Sequence, residues 1–173
     1  MSFTNWLELE MFVAYSGIIL DQPGMNGTLG QALQEYIAPL ISQAWITHNR
    51  VPGPGNELLP HHFTIAAKPL PEDMKSFINE PAQITCTHWG QNELAAAVLV
   101  ECYNHEIGKI PKLDPGPKHI TVAISPLGKP FHSNQITERH PLPKEIHVTG
   151  IIREIMRIKF PPKPPLQPLP GPV

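Results

Sequence analysis

The sequence predicts an α+β fold dominated by strands. Three observations carry that expectation. Apolar runs rich in strand formers stop at Gly/Pro clusters, one segment holds a sustained helical spacing, and a four-residue phrase, His-x-Thr-apolar, opens two of the strands.

The first strand is expected over 10–21, EMFVAYSGIILD, ended by the turn cluster QPGMNG. Beyond it Leu29, Leu33, Ile37, Leu40, Ile41 and Ala44 recur at helical spacing, with Thr28 as the N-cap and Pro39 as a kink. Residues 49–57 read as a loop. The strand headed His62-Phe63-Thr64-Ile65 follows, then LPEDMKSFINE, a short helix opened by Pro71. AQITCTHW and ELAAAVLVECY form a hairpin that reverses at Gly90-Gln91-Asn92. The Gly/Pro-punctuated stretch 104–118 shows no helical pattern. The second phrase, His119-Ile120-Thr121-Val122, runs on to Ser125, GKPFHSNQITERHPLP connects, and EIHVTGIIREIMRI is the last strand. The tail 160–173, FPPKPPLQPLPGPV, is polyproline II or disordered, which divides the chain into a domain over 1–159 and a Pro-rich tail. Its Lys159-x-x-Pro162-x-x-Pro165 spacing suits an SH3-like partner, against the simpler alternative of a spacer that binds nothing.

At 173 residues with 41% hydrophobic content, a single globular domain has enough chain to bury a core. A net charge of −2 argues against a broad basic surface for coating nucleic acid, and leaves a small nucleotide or an RNA end as a ligand. Cys86 and Cys102 make neither a disulfide framework nor a four-ligand metal pattern, so both read as buried free thiols. The N-terminus lacks the basic start and apolar core of a signal peptide, and no apolar run approaches the roughly 20 residues that span a bilayer. The expectation is a soluble, cytoplasmic protein with no membrane contact.

In a strand, residues two apart face the same side. His62 and Thr64 therefore share one face while Phe63 and Ile65 enter the core, and His119 and Thr121 stand likewise against Ile120 and Val122. Side by side, the two strands would line one groove with two imidazoles and two hydroxyls. One imidazole can take a proton from an attacking oxygen and the other can give one to a leaving oxygen, both being ionisable near neutral pH. The hydroxyls can donate to non-bridging phosphate oxygens. With 9 histidines, chance supplies about half a match to His-x-Thr, and the sequence holds a third, His147-Val148-Thr149. For any one copy, a satisfied surface pair is the plainer alternative.

Taken in order from about residue 10 to residue 158, the chain resembles the 2H phosphoesterase superfamily, which includes RNA 2′,3′-cyclic phosphodiesterases and LigT-like enzymes. The resemblance rests on the two His-x-Thr-apolar motifs and on the element order around them. It implies a two-lobed, pseudo-symmetric fold with antiparallel sheets around a central cleft and helices packed outside. It also implies a phosphodiesterase that uses no metal or cofactor and cleaves a 2′,3′-cyclic phosphate, a 2′-5′ linkage or a cyclic nucleotide, with RNA processing as its setting. His62 and His119 would be the acid/base pair, and Thr64 and Thr121 the phosphate-binding hydroxyls. Tyr15, Trp89 and Phe131 are candidates for the aromatic platform under a base, with packing as the alternative for each, and Lys129 could reach a phosphate. His61 would face the other way. One departure stands out: the motif separation, 62 to 119, is shorter than usual, and the deficit falls on 104–118, where the second lobe would have its helix. Pairing His62 with His147 restores the spacing, but Gly150 then replaces the apolar fourth position and no final strand remains. Two other functions compete. One is a nucleotide-binding module of the same fold with a partner-docking tail; the other is a zinc site drawn from His61, His62, His88, His119 and the cysteines, whose spacings match no closed zinc pattern.

Overall fold

Alternating apolar and polar side chains build the six strands found among the described residues of the computed structural model, which are 10–36, 45, 59–102 and 118–159. They are β1 (Glu10–Leu20), β2 (His62–Ala66), β3 (Pro81–Gln91), β4 (Ala95–Cys102), β5 (His119–Ile124) and β6 (His140–Lys159). The α-helix α1 (Thr28–Tyr36) follows β1, the described residue Trp45 is also helical, and the 3-10 helices Glu72–Phe77 and Pro130–Gln135 follow β2 and β5. The fold is α+β, with strands dominant and every pairing antiparallel.

The sheet closes on itself in the order β1-β2-β5-β4-β3-β6. Closure depends on the length of β6. Its first half pairs with β3, from Trp89 opposite His140 to Pro81 opposite Ile151, and its second half pairs with β1, from Leu20 opposite Gly150 to Glu10 opposite Lys159. A strand that serves two neighbours in this way leaves no open sheet edge between them.

Each strand sends at least one fully buried side chain into a common core, among them Ile18, Phe63, Ile84, Val98, Ile120 and Ile152, all at 0% exposure. Leu29 and Leu33 of α1 join the same cluster. Burying each such side chain stabilises the fold by about 1.5–3 kcal/mol, which makes the core-facing set the main determinant of strand register.

Several boundaries differ from the sequence reading. Thr28 does not cap α1: its hydroxyl donates to Gln22 Oε1 at 3.0 Å, and the Gly27 carbonyl accepts the first helical bond, from the Gln31 amide at 2.9 Å. The stretch 37–44 with Pro39 lies outside the described residues, as do the loop 104–117 and the tail 160–173. The helix expected after Pro71 is a 3-10 turn, with the Met74 amide bonded to the Pro71 carbonyl at 2.9 Å. Gly90 and Gln91 are part of β3, and the hairpin reverses over 92–94, where Asn92, the last residue of the expected turn, accepts at Oδ1 from the amides of Leu94 and Ala95 at 2.9 and 2.8 Å. Gly90 is there because a Cβ would sit 2.2 Å from the Glu138 carbonyl oxygen. β6 begins five residues before the expected start because Pro143, which would argue against a strand, lies between Ile146 and Pro141, where the ladder with β3 jumps register and needs no donor.

Candidate active site

β2 and β5 are hydrogen-bonded neighbours, with Phe63 opposite Ile120. Both of these are core residues, so the residues on either side of them point to the opposite face. Continuing the antiparallel register by one position each way sets His62 across from Thr121 and Thr64 across from His119. The two imidazoles thereby stand at diagonal positions of one face, with backbones about 7–8 Å apart. His62, His119 and Thr121 are half-buried and Thr64 is exposed. Four side chains from two distant stretches of sequence share one face of one sheet.

The ring of His62 is held on two sides. Tyr15 stacks on it with centroids 4.5 Å apart and planes at 22°, and its hydroxyl lies 3.4 Å from His62 Nδ1. Tyr15 reaches it past Gly17, which is paired with Thr64; a Cβ on Gly17 would lie 3.5 Å from the Tyr15 ring and 2.6 Å from the Phe63 carbonyl oxygen. His61 meets the same ring edge-on, Nδ1 to Nδ1 at 3.0 Å. At 8% exposure, Tyr15 is a wall for His62 more than an open platform for a base.

On the second motif, Thr121 Oγ1 donates to Ser133 Oγ at 2.9 Å, and Ser133 is buried at 1% exposure. That bond ties the 3-10 helix Pro130–Gln135 to the face that carries the histidines. The same helix carries Phe131, 54% exposed and tilted over His132 at 4.2 Å, and Lys129 precedes it, exposed, with its amide donating to His132 Nδ1 at 2.9 Å. Phe131 and Lys129 thus stand on the segment anchored at Thr121. Trp89 does not join them. It pairs with Val98, whose side chain is in the core, and it packs against that core and against His140 at 5.0 Å, whereas the face of His119 is continued by Leu99.

His147 lies on β6, which is not a neighbour of β2; it is opposite Thr85 and 3.6 Å from Glu145. Of the residues considered for zinc, His88 bonds Thr87 Oγ1 at 2.8 Å, and among the described residues no three His, Cys, Asp or Glu side chains gather as a metal would need. Cys86 is fully buried, and that burial pushes its thiol up to about 12.

His61 and Ser133 are the residues that the sequence pattern missed. Alternation in a strand assigns His61 to the wrong side, because it precedes β2 and is not bound by the strand's geometry. Ser133 lies in a connector with no pattern of its own, and only the fold of the 3-10 helix brings it to Thr121. The sequence matches no family model and no curated protein.

Proposed function

We propose that the protein is a metal-independent phosphodiesterase that cleaves a 2′,3′-cyclic phosphate, a 2′-5′ linkage or a cyclic nucleotide. The observation that carries this reading is the pairing of Phe63 with Ile120, which gathers His62, Thr64, His119 and Thr121 on one face. For a cyclic phosphate, one imidazole takes a proton from water as its oxygen bonds to phosphorus. The other gives a proton to the ribose oxygen as the P–O bond breaks, and the product is a phosphomonoester. The threonine hydroxyls donate to the non-bridging oxygens as charge builds there. Rotation of the Ser133 hydroxyl to donate to Thr121 releases the Thr121 proton for that purpose.

The strand order supports a two-lobed, pseudo-symmetric arrangement of the 2H kind. Exchanging β1 with β4, β2 with β5 and β3 with β6 leaves the circular list of neighbours unchanged, and the exchange axis falls between the two motif strands. A pair of equivalent lobes meeting at β2 and β5 would place equivalent histidines in equivalent positions. The modest net charge of −2 favours a short ligand over a long strand, whose many phosphates call for many Lys and Arg.

The test is hydrolysis of 2′,3′-cyclic nucleotides and 2′-5′ dinucleotides in EDTA. His62→Ala and His119→Ala should each lower kcat by about 10²–10⁴, the usual contribution of a positioned acid or base. Turnover that survives both substitutions, or that never occurs on any of these substrates, rules the reading out. A nucleotide-binding module is the second reading, favoured by the Thr121 proton being directed at Ser133. It would show saturable calorimetric binding of the same nucleotides without product.

A further inference from the structure

We infer that His61 is a positioning residue for His62, fixing through its own ring which nitrogen of His62 carries the proton. The inference rests on the reading of His62 as one half of the acid/base pair. It extends that reading to a residue whose place in the sequence argues against any such part.

Neighbouring residues along a strand face opposite sides, so a ring at position 61 should point away from a ring at 62. Here the two rings meet. His61 lies just before β2 and its carbonyl accepts from the Leu20 amide at 3.0 Å, which ties its backbone to β1 while its side chain escapes the alternation. The Tyr15 hydroxyl makes the longer contact with Nδ1 of His62, at 3.4 Å, while the two imidazole rings stand at 82° with Nδ1 atoms 3.0 Å apart. At that distance and between two neutral imidazoles, one nitrogen donates and the other accepts.

Either assignment leaves His62 with a single tautomer. If His62 donates from Nδ1, its Nε2 is bare and able to take a proton. If His61 donates, the His62 proton resides on Nε2 and is available to be given. A half-turn of the ring about its bond to the chain would replace Nδ1 by carbon and forfeit the contact. The stacked Tyr15 ring, 4.5 Å away, lies along one face of His62 and hinders that turn. Acid/base histidines are generally oriented by a third group at the nitrogen that does no chemistry, most often a carboxylate or a carbonyl. His61 fills that place with a second imidazole.

The experiment uses the full chain labelled with ¹⁵N-histidine, in a Tyr15→Phe background that removes the hydroxyl near His62 Nδ1, and reads the ring-nitrogen shifts of His62 with His61 intact, in His61→Phe and in His61→Asn. Phe keeps the bulk of the ring without a polar atom. Asn places an amide atom where Nδ1 stands and can donate or accept. The expected result is one tautomer of His62 with His61 intact, a mixture in His61→Phe and return to one tautomer in His61→Asn. On a 2′,3′-cyclic nucleotide, kcat should fall about tenfold in His61→Phe with KM nearly unchanged, and Asn should recover most of it, as for other groups that orient a functional histidine. Identical His62 tautomers with His61 intact and in His61→Phe would overturn the assignment. A wild type that turns over no such substrate would overturn the phosphodiesterase reading alone, since the nitrogen shifts decide the place of His61 without any turnover.

Discussion

Thr64 and Thr121 occupy the same position in the same phrase, yet only Thr121 is tied to a buried partner. Thr64 is exposed, while the Thr121 hydroxyl is held by Ser133. Ser133→Ala should therefore act through Thr121. A hydrogen bond of about 0.5–1.5 kcal/mol is lost, and KM for a cyclic phosphate should rise roughly two- to tenfold, measured by steady-state kinetics. Thr64→Val lacks any such intermediary and should weaken binding directly. Cys86 supplies a prediction at high pH. Its thiol is pushed from 9.0 to about 12, so in that interval the native chain keeps a proton that the unfolded chain has released. Stability from this group is complete below about pH 9 and is lost as pH rises toward 12, by about 4 kcal/mol in full. Urea titrations between pH 7 and 10 should show a downward slope in the wild type that is shallower in Cys86→Ala. At this scale the sequence was legible where alternation sets the face of a side chain, as at His62, Thr64, His119 and Thr121. It was not legible for His61 and Ser133, because a contact made outside a regular element has no period to read.

β2 is only five residues long; Phe63, Ile65 and Ala66 are its buried side chains, and Phe63 is the largest of them and the one paired with Ile120. Phe63→Ala should cost about 3–5 kcal/mol and loosen the register that aligns the two motifs, lowering the urea midpoint and turnover together. Asn92 joins two elements: its Oδ1 closes the β3–β4 hairpin and its Nδ2 donates to the His132 carbonyl at 2.9 Å. Asn92→Ala should lower stability by about 1–3 kcal/mol, since it leaves two amides and one carbonyl without their partner. The strands were found in the sequence because their apolar residues recur at period two. The hairpin turn was displaced by two residues because Gly90, read as turn chemistry, answers instead to the approach of the Glu138 backbone. That approach is a contact between segments almost fifty residues apart, and no local window contains it.

Across the whole molecule, β6 is the element that turns a row of hairpins into a closed sheet. Its far end forms a ribbon with β1, from Leu20 opposite Gly150 to Glu10 opposite Lys159. Met11, Phe12, Met156 and Ile158 on this ribbon are exposed, in contrast to the sealed core. No described strand and no candidate-site residue falls within 160–173, so a chain shortened to 1–159 is expected to keep the thermal midpoint and the turnover of the full one. A loss of either would make the Pro-rich tail part of the domain. Among the described residues no helix is long and apolar enough to cross a membrane.

The sequence by itself determined the existence and type of the strands, the core-facing side of the two motif strands at Phe63, Ile65, Ile120 and Val122, and the fact that each motif histidine shares a face with a threonine. All of these follow from side-chain periodicity within a few residues. Only the tertiary structure decided that β2 lies beside β5 and not beside β6, that Tyr15 and His61 close on His62, and that Ser133 holds Thr121. Strand neighbours are chosen by how six apolar faces bury one another at once, and that choice depends on the whole set of side chains together.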